Sequence, residues 1–335
     1  MKMLKLIASA AIATGMTFAA SAQTADMKFF RIGSGAAGGA YFPIAGLVAN
    51  AISNPPGSRP CDAGGSCGVP GLVAIAQASN ASAANVTAVQ NGHMESGFAA
   101  SFVVHPAFNG EGDFQKTGAM SRLRVIANLF PEEMHLILSK NSAIKSIGDL
   151  KGKRVGIGQA GSGTQLAVLR YLKEFGIDRS NIDESELNQA QSGERMADGH
   201  LDAFFYIAPA PTAAILQLDT TAGMKLYSFK DDELDKLSKL MPYFYRATIP
   251  AGTYPGVTQE TKTAAVGAQW VTSANVSDDL VYNITKALWN KNSAALFATG
   301  HPKAKLIQLK TALEGVQTPL HPGAERFYRE QGLIK

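Results

Sequence analysis

Two glycine-rich segments of this sequence have the residue types and spacing that can hold an anion. Both match the pattern Gly-x-Gly-x-x-Gly, and each joins a short apolar run to a stretch with helical periodicity. At such a strand–loop–helix junction, unpaired backbone N–H groups and the positive end of the helix dipole point to one place. The pair therefore predicts an anion held between two parts of the chain. The glycines are Gly33, Gly35 and Gly38 in the first segment and Gly156, Gly158 and Gly161 in the second.

The same glycine pattern occurs in nucleotide sites, but here the companion residues are missing. A dinucleotide site has an acidic residue about 20 positions after its glycines, and residues 52–59 contain no Asp or Glu. After the second segment, Asp178 and Asp183 lie in a polar stretch. The lysine of a phosphate-binding P-loop is also absent from residues 158–165. We therefore expect no nucleotide cofactor, with an exported dehydrogenase as an open alternative.

Hydrolase and metal chemistry have weaker support in the sequence. Residues 64–68 match the Gly-x-Ser-x-Gly pattern of a hydrolase nucleophile, but no apolar strand precedes them. The six histidines are scattered, and none pairs with another at a spacing of four residues. We expect no catalytic residue, no metal and no cofactor, and an exported hydrolase is the alternative.

Two polar residues outside the glycine segments, Glu132 and Tyr41, are candidates for ligand binding. Glu132 and Glu133 are adjacent, and because neighbouring residues rarely share a face, we expect one to point inward and the other to be solvated. Tyr41 directly follows the first glycine segment. A tyrosine at the start of a helix can stack on a ligand and donate one hydrogen bond, and core packing is its alternative role.

The two cysteines, Cys61 and Cys67, are predicted to form a disulfide. They enclose five residues, and an exported protein meets an oxidising compartment. A metal site would need two more ligands, and no histidine lies within twenty residues of the pair. The bridge is expected to fix a small surface loop.

The N-terminus predicts export to the periplasm. Lys2 and Lys5 precede the mostly apolar residues 6–19, and an Ala-Ser-Ala triplet ending at Ala22 has the pattern that signal peptidase cleaves. We expect a signal peptide at residues 1–22 and no membrane insertion of the remaining chain. Loss of the two lysines lowers the formal net charge from +4 to +2, and this balance argues against a nucleic-acid partner.

The chain after the signal peptide is long enough for two lobes, because single cores stop growing at about 250–300 residues. Strand and helix patterns alternate along it, which is typical of doubly wound sheets with ligands beyond the carboxyl ends of the strands. We predict one long strand over residues 123–139, interrupted at residues 131–133, as the first crossing between lobes. We predict that the chain crosses back to the first lobe at residues 250–256.

Five short motifs follow one another along the chain. They are Gly33–Pro43, Gly161–Thr164, Asp202–Phe205, Ile249–Gly256 and His321–Tyr328. In this order they resemble the TAXI family of solute receptors, the extracytoplasmic components of one class of tripartite ATP-independent periplasmic (TRAP) transporters. The resemblance runs from about residue 28 to the end of the sequence. The sequence departs from the family pattern after Ala99. Many relatives place a Gln and an Asp there, and this chain has Ala100, Ser101 and Phe102.

The resemblance implies an α/β fold of the type II-like periplasmic binding protein, with two doubly wound lobes joined by a hinge. Lobe I would comprise residues 23–129 and 251–335, and lobe II residues 130–250. Family members with known ligands favour small carboxylates such as glutamate or 2-oxoglutarate. The receptor would deliver its carboxylate to integral-membrane TRAP permease subunits, often fused, that an ion gradient drives. A sensor or an ATP-driven (ABC) importer stays open as the client, and we expect a monomer.

The resemblance also implies which residues bind the ligand. One carboxylate is expected on the N–H groups of residues 162–164, with two hydroxyls there as neutral donors. Such donors suit a receptor that must release its ligand, because a bidentate arginine would hold it more tightly. The candidates are Ser34, Ala37, Gly38 and Tyr41 in the first loop, Gly161, Ser162, Gly163 and Thr164 in the second, Glu132 at a matched Pro-Glu, Tyr206 after the Asp-Ala-Phe-Phe strand, and Ser101 on the divergent wall.

Overall fold

The computed structural model of the chain describes residues 27–335. The predicted signal peptide at residues 1–22 and its cleavage site lie outside the described residues. Within them, strands and helices alternate along much of the chain, as the sequence pattern predicts. Every helix between residues 27 and 335 is too short or too polar to span a lipid bilayer.

The strands are mostly short apolar runs bounded by turn residues. The strand predicted at residues 72–77 has those bounds in the structure. The strands are β1 (Lys28–Gly33), β2 (Ser53–Asn54), β3 (Val69–Pro70), β4 (Leu72–Gln77), β5 (Ser96–Ala100), β6 (Leu123–Ser139), β7 (Arg154–Gly156), β8 (Asp183–Ser185), β9 (Ala203–Ala208), β10 (Met224–Leu226), β11 (Tyr245–Ile249) and β12 (Thr261–Ser273).

Several helices begin at a residue whose side chain caps the first turn. Ser162 Oγ accepts the N–H of Gln165 at 3.1 Å, and Ser277 Oγ accepts that of Leu280 at 3.3 Å. The helices are α1 (Tyr41–Ile52), α2 (Ser82–Gln90), α3 (Ser101–Asn109), α4 (Gly163–Lys173), α5 (Gln189–Ala197), α6 (Ala213–Thr221), α7 (Asp231–Leu240), α8 (Asp278–Leu288), α9 (Lys291–Gly300) and α10 (Pro322–Glu330).

Ten strands form one sheet that is parallel at both ends and antiparallel in the middle. Its main order is β4-β1-β5-β12-β6-β9-β7-β8, with β10 beside β6 and β11 beside β12. The strands β4, β1 and β5 are parallel, as are β9, β7 and β8. Between these two sets, β12 and β6 run antiparallel to their neighbours. The two parallel sets present two groups of strand ends to the helices that follow them.

The predicted interruption at residues 131–133 is wrong, because β6 continues through it for 17 residues. Pro131 lies opposite Gly267 of β12. A proline removes one ladder donor but fits an extended backbone, so the strand continues on both sides. At Glu133, β6 stops pairing with β12 and begins to pair with β9. The lobe boundaries at residues 129–130 and 250–251 remain a prediction.

Apolar side chains pack against both faces of the sheet. On one face, Phe30, Trp270 and Tyr328 are fully buried with side chains of α1, α8 and α10. On the other face, Val271 and Tyr171 are buried with side chains of α2, α3 and α4. Adjacent residues of β12 thus enter different cores, as the alternation of a strand requires.

Asn85 of α2 bonds to the end of β1 and to the middle of β5. Its amide Nδ2 donates to the carbonyl oxygens of Gly33 at 3.1 Å, Ser34 at 2.8 Å and Phe98 at 2.8 Å. A Cβ at Gly33 would lie 2.6 Å from Asn85 Oδ1, and one at Gly97 would lie 2.9 Å from Asn85 Cβ. The two glycines are therefore needed so that this side chain can reach both strands.

The predicted disulfide between Cys61 and Cys67 is confirmed, with Cα atoms 4.7 Å apart. It lies in the loop that joins β2 to β3. Asn292 of α9 contacts the sulfur of Cys67 at 2.7 Å, so the bridged loop rests on the C-terminal part of the chain.

Replacing Asn85 by Ala should lower the free energy of unfolding by about 2–4 kcal/mol, because the buried carbonyls of Gly33 and Phe98 lose the amide donor and the Ser79 hydroxyl loses its acceptor on Asn85. Urea unfolding measures the change. The control is Asn91→Ala at the exposed end of the same helix, which should change stability by less than about 0.5 kcal/mol. Equal effects of the two substitutions would contradict this role.

Candidate functional site

One cavity of about 40 Å³ brings parts of both glycine loops together. Its walls come from the first loop and α1, the start of α2, the β5–α3 junction, β6, the second loop and α4, the start of α5, and β9. The lining residues are Gly35, Ala36, Gly39, Tyr41, Ala81, Ser82, Ala100, Phe102, Glu132, Gly158, Gln159, Ser162, Gly163, Thr164, Leu187, Asn188, Gln189, Phe205, Tyr206, Ile207 and Ala208.

About half of the residues that the sequence proposes as ligand contacts line this cavity. Those that do are Tyr41, Glu132, Ser162, Gly163, Thr164 and Tyr206. The structure places five others outside the lining, namely Ser34, Ala37, Gly38, Ser101 and Gly161. In the first loop, the neighbouring Gly35, Ala36 and Gly39 line the cavity instead.

The candidates outside the lining have other hydrogen-bond partners or other surroundings. Ser34 is fully buried and donates its hydroxyl to the carbonyl of Gln77 at 2.7 Å. Gly161 donates its N–H to Gln165 Oε1 at 3.1 Å. Ser101 begins α3 and lines a second cavity of about 610 Å³. The contacts of Ser34 and Gly161 hold the two loops in place, so these two residues support the site from outside its lining.

Four helices begin at residues that line the cavity. They are α1 at Tyr41, α2 at Ser82, α4 at Gly163 and α5 at Gln189. Each helix start carries a partial positive charge. Some of the first N–H groups are already paired, that of Gln165 with Ser162 Oγ, that of Ala84 with the Gly161 carbonyl, and those of Ala190 and Gln191 with Asn188 Oδ1. The lining contains no Lys, Arg or His, and its one ionisable carboxyl is that of Glu132. The arrangement can therefore bind an anion with backbone and neutral donors.

The hydroxyls of the second loop are fixed by backbone hydrogen bonds. Ser162 Oγ accepts from Gln165 N–H at 3.1 Å, and Thr164 Oγ1 accepts from Ile207 N–H at 3.1 Å. Since each oxygen is used as an acceptor, each O–H proton is left to donate elsewhere. Both side chains are about 94% buried, so these donors belong to the cavity wall.

Glu132 is buried in the cavity wall beside Tyr41. The phenol of Tyr41 donates to Glu132 Oε2 at 2.8 Å. Burial raises the pKa of Glu132 to about 8, and the neighbouring Glu133 adds to the rise while the Tyr41 hydrogen bond opposes it. Glu132 is therefore mostly protonated at neutral pH. The Tyr41 ring packs edge-on against Phe98 at 5.6 Å between ring centroids.

Glu133 is also buried, so the expectation that one of the two glutamates is solvated is wrong. Only 5% of Glu133 is exposed. On the other face of β6, its Oε2 accepts the N–H of Ala210 at 2.9 Å, and Lys303 forms an ion pair with its Oε1. One glutamate thus faces the cavity without a cation in the lining, and the other is neutralised away from it.

His135, two residues further along β6, is a neutral structural residue. Its Nδ1 lies 2.9 Å from the carbonyl oxygen of Glu133 and 3.2 Å from that of Tyr206, and its Nε2 lies 3.0 Å from the hydroxyl of Tyr254. Burial lowers the pKa of His135 to about 4. The ring therefore fixes the strand that carries Tyr206 and brings no positive charge to the site.

Sequence reasoning missed Ser82 and Gln189, which both lie at helix starts. The signal for α5 is local: Asn188 Oδ1 accepts the N–H of Gln191 at 3.0 Å, and the Gln191 side chain reaches back to Asn188 N–H at 3.2 Å. This capping box predicts a helix start. That this helix start faces the cavity depends on packing with β9, which no local pattern records.

Within residues 27–335, no group of three or more His, Cys, Asp or Glu side chains could hold a metal ion. The site is therefore described by its neutral donors and Glu132 alone.

Comparisons with known proteins agree with the architecture. The sequence profile of the NMT1-like family matches residues 32–332. A putative aliphatic sulfonates-binding protein of Escherichia coli (strain K12) is 32% identical over 87 residues, which are 26% of this chain and 27% of that protein. The match thus spans about a quarter of the length of this curated relative.

Two solved structures illustrate the fold. One described as a periplasmic transporter superimposes with a TM-score of 0.50 at 14% identity, covering 91% of this chain and 93% of its own. The alkanesulfonate-binding protein SsuA from Xanthomonas axonopodis pv. citri, bound to MOPS, gives a TM-score of 0.46 at 17% identity, covering 91% and 84%. The predicted α/β fold of periplasmic binding proteins is confirmed.

Replacing Glu132 by Gln should remove a pH dependence of stability. The ordinary carboxyl pKa of 4.5 applies to the unfolded chain, and the folded value is about 8. The stability due to the protonated group is therefore complete below pH 4.5 and is lost as the pH rises towards 8. Between pH 5 and pH 8 the wild type should lose about 3 kcal/mol more unfolding free energy than Glu132→Gln.

Urea unfolding at the two pH values measures this difference. The exposed Glu260 offers a control, and Glu260→Gln should follow the wild type at both pH values. Equal losses in the wild type and Glu132→Gln would exclude a protonated Glu132 in the folded protein.

Proposed function

This chain belongs to the NMT1-like family, and we propose that it is a periplasmic solute-binding protein that captures a small carboxylate for a membrane transporter. The observation that carries the proposal is the convergence of four helix starts on one cavity whose lining has no cation. Helix N-termini bind carboxylates, phosphates and sulfates through N–H groups and dipoles. A receptor can release an anion held in this way, because no bidentate arginine clamps it.

The two glycine loops support capture between two parts of the chain. A Cβ at Gly39 of the first loop would lie 2.6 Å from the phenol oxygen of Tyr206 on β9. A Cβ at Gly163 of the second loop would lie 2.9 Å from Ser82 Oγ on α2. Each loop therefore contacts an element from the opposite half of the sheet. We infer that a ligand between them favours this arrangement, with residues 23–129 and 251–335 as one lobe and 130–250 as the other.

The proposed ligand is glutamate, 2-oxoglutarate or a similar dicarboxylate. The motifs that resemble TAXI receptors support this class, and Ser162 and Thr164 supply hydroxyl donors beside the α4 start. The Escherichia coli relative is described as binding aliphatic sulfonates, and it supports a second ligand class. A sulfonate is also an oxyanion that neutral donors can hold, so the experiment must include both classes.

The proposed partner is the integral-membrane permease of a TAXI-type TRAP transporter, driven by an ion gradient. The support is the order of the five motifs from Gly33–Pro43 to His321–Tyr328. We propose that the receptor acts as a monomer in the periplasm, after loss of residues 1–22. Return of the ligand unchanged would distinguish this receptor from an exported enzyme.

Thermal unfolding with a ligand panel tests the proposal. The panel contains glutamate, 2-oxoglutarate, succinate, taurine and methanesulfonate. A ligand at 100 times its dissociation constant should stabilise the protein by about 2.7 kcal/mol, which raises Tm by several degrees. A shift with sulfonates alone would replace the carboxylate by a sulfonate as the ligand class. No shift with any of these anions would overturn the proposal.

Replacing Gly39 by Ala should weaken ligand binding by at least about 10-fold. The added methyl would contact Tyr206 and Gln189 at 2.6 and 3.0 Å, so the arrangement that holds the ligand is disfavoured. Gly46, inside α1, is the matched control because a Cβ there meets nothing within 4 Å. Gly46→Ala should keep the affinity and raise stability by about 1 kcal/mol. Unchanged calorimetric affinity in Gly39→Ala would contradict a close contact between the two parts in the bound state.

A further inference from the structure

Gln189, the first residue of α5, has a buried amide whose donor is unused. The side chain lines the cavity and is only 6% exposed. Its Nε2 has no hydrogen-bond partner within residues 27–335. Buried polar groups in folded proteins are nearly always paired, because an unpaired donor loses its water without compensation. The exception at a cavity wall therefore points to a partner that is not part of the chain.

The position of this amide distinguishes two ends of the cavity. A Cβ at Gly39 would lie 3.0 Å from Gln189 Nε2 and 2.6 Å from Tyr206 Oη, so both groups adjoin the first loop. At the second loop, a Cβ at Gly163 would meet Ser82 and Phe102 instead. One end therefore has the α4 start, and the other has the α1 start with the Gln189 amide.

At the start of α5, the backbone N–H groups offer a ligand less than the side chain of Gln189 does. Asn188 Oδ1 already accepts the N–H groups of Ala190 and Gln191, both at 3.0 Å. At the start of α4, Ser162 Oγ takes only the N–H of Gln165. The α5 start therefore offers the cavity an amide donor from Gln189, within the positive field of the α1 and α5 helix ends.

We propose that Gln189 determines ligand specificity by donating to an acceptor oxygen on the second end of the ligand. This inference rests on the proposed function and deepens it. A ligand with a carboxylate at this end gains a hydrogen bond and a favourable helix field. A ligand with an ammonium there meets a donor and two helix N-termini, which repel it. The preferred ligands are therefore acids with oxygen acceptors at both ends.

Glutarate, 4-aminobutyrate and pentanoate provide a matched test. They share a carboxylate and three methylenes, and end in a carboxylate, an ammonium and a methyl group respectively. Titration calorimetry should find that the wild type binds glutarate at least about 10-fold more tightly than the other two. Gln189→Leu should weaken glutarate binding about 10- to 100-fold, the value of one hydrogen bond to a charged group, and leave pentanoate nearly unchanged. Gln189→Glu should reverse the preference in favour of 4-aminobutyrate.

Gln217 of α6 is the matched control, because its side chain is exposed and lies outside the cavity lining. Gln217→Leu should change glutarate affinity by less than about 3-fold. Since Gln189→Leu removes an unpaired buried amide, its Tm without ligand should equal or exceed that of the wild type, and this separates a binding defect from a folding defect.

The outcomes separate this inference from the proposed function. If the wild type and Gln189→Leu bind glutarate equally tightly, the inference about Gln189 is overturned and the proposed function is not. A wild type that binds 4-aminobutyrate as well as glutarate likewise overturns the inference alone. A wild type that binds taurine but no dicarboxylate overturns the inference, because the second end of taurine is an ammonium, and it also replaces the carboxylate by a sulfonate in the proposed function. A wild type that binds no acid of either panel overturns both.

Discussion

The start of an α-helix carries N–H groups that the helix itself cannot satisfy, and four such starts share one cavity in this protein. Some of these N–H groups are paired within the chain, those of Ala190 and Gln191 with Asn188 and that of Gln165 with Ser162, and we propose that an anion accepts from others. The rest of the lining is consistent with this constraint. It has no cation, its hydroxyls are held as donors, and burial keeps the one carboxyl, Glu132, mostly protonated at neutral pH. The cavity wall is therefore mostly uncharged at neutral pH, which suits the anionic ligand that we propose.

Asn85 fixes the end of β1, the strand that precedes the first glycine loop and α1. Its amide bonds to the carbonyl of Gly33 at that end and to the carbonyl of Phe98 within β5, and Gly33 and Gly97 leave room for it. The long strand β6 connects the two parallel sets and carries glutamates on opposite faces. Glu132 faces the cavity, while Glu133 is paired with Lys303 and the N–H of Ala210. The strand β6 thus contributes one glutamate to the cavity wall and the other to the packing on its opposite face.

Much of the fold could be predicted from the sequence because its signals are local. The strand at residues 72–77, the helix from Tyr41 and the disulfide between Cys61 and Cys67 all depend on residues close together in the chain. The interruption predicted in β6 failed for a non-local reason. Proline predicts a break locally, but pairing with β12 and β9 on both sides keeps the strand extended.

The sequence by itself determined that two glycine loops precede helices, and therefore that helix N-termini of the kind that can bind an anion occur in this chain. It could not decide which loop atoms face the cavity. Ser34 and Gly161 are turned to partners in the scaffold, whereas Gly39, Ser82 and Gln189 line the cavity. The physical reason is that helix starts and strand ends are set by nearest neighbours in sequence. Which of their side chains meet is set by the packing of elements up to about 150 residues apart, such as Gly39 and Gln189.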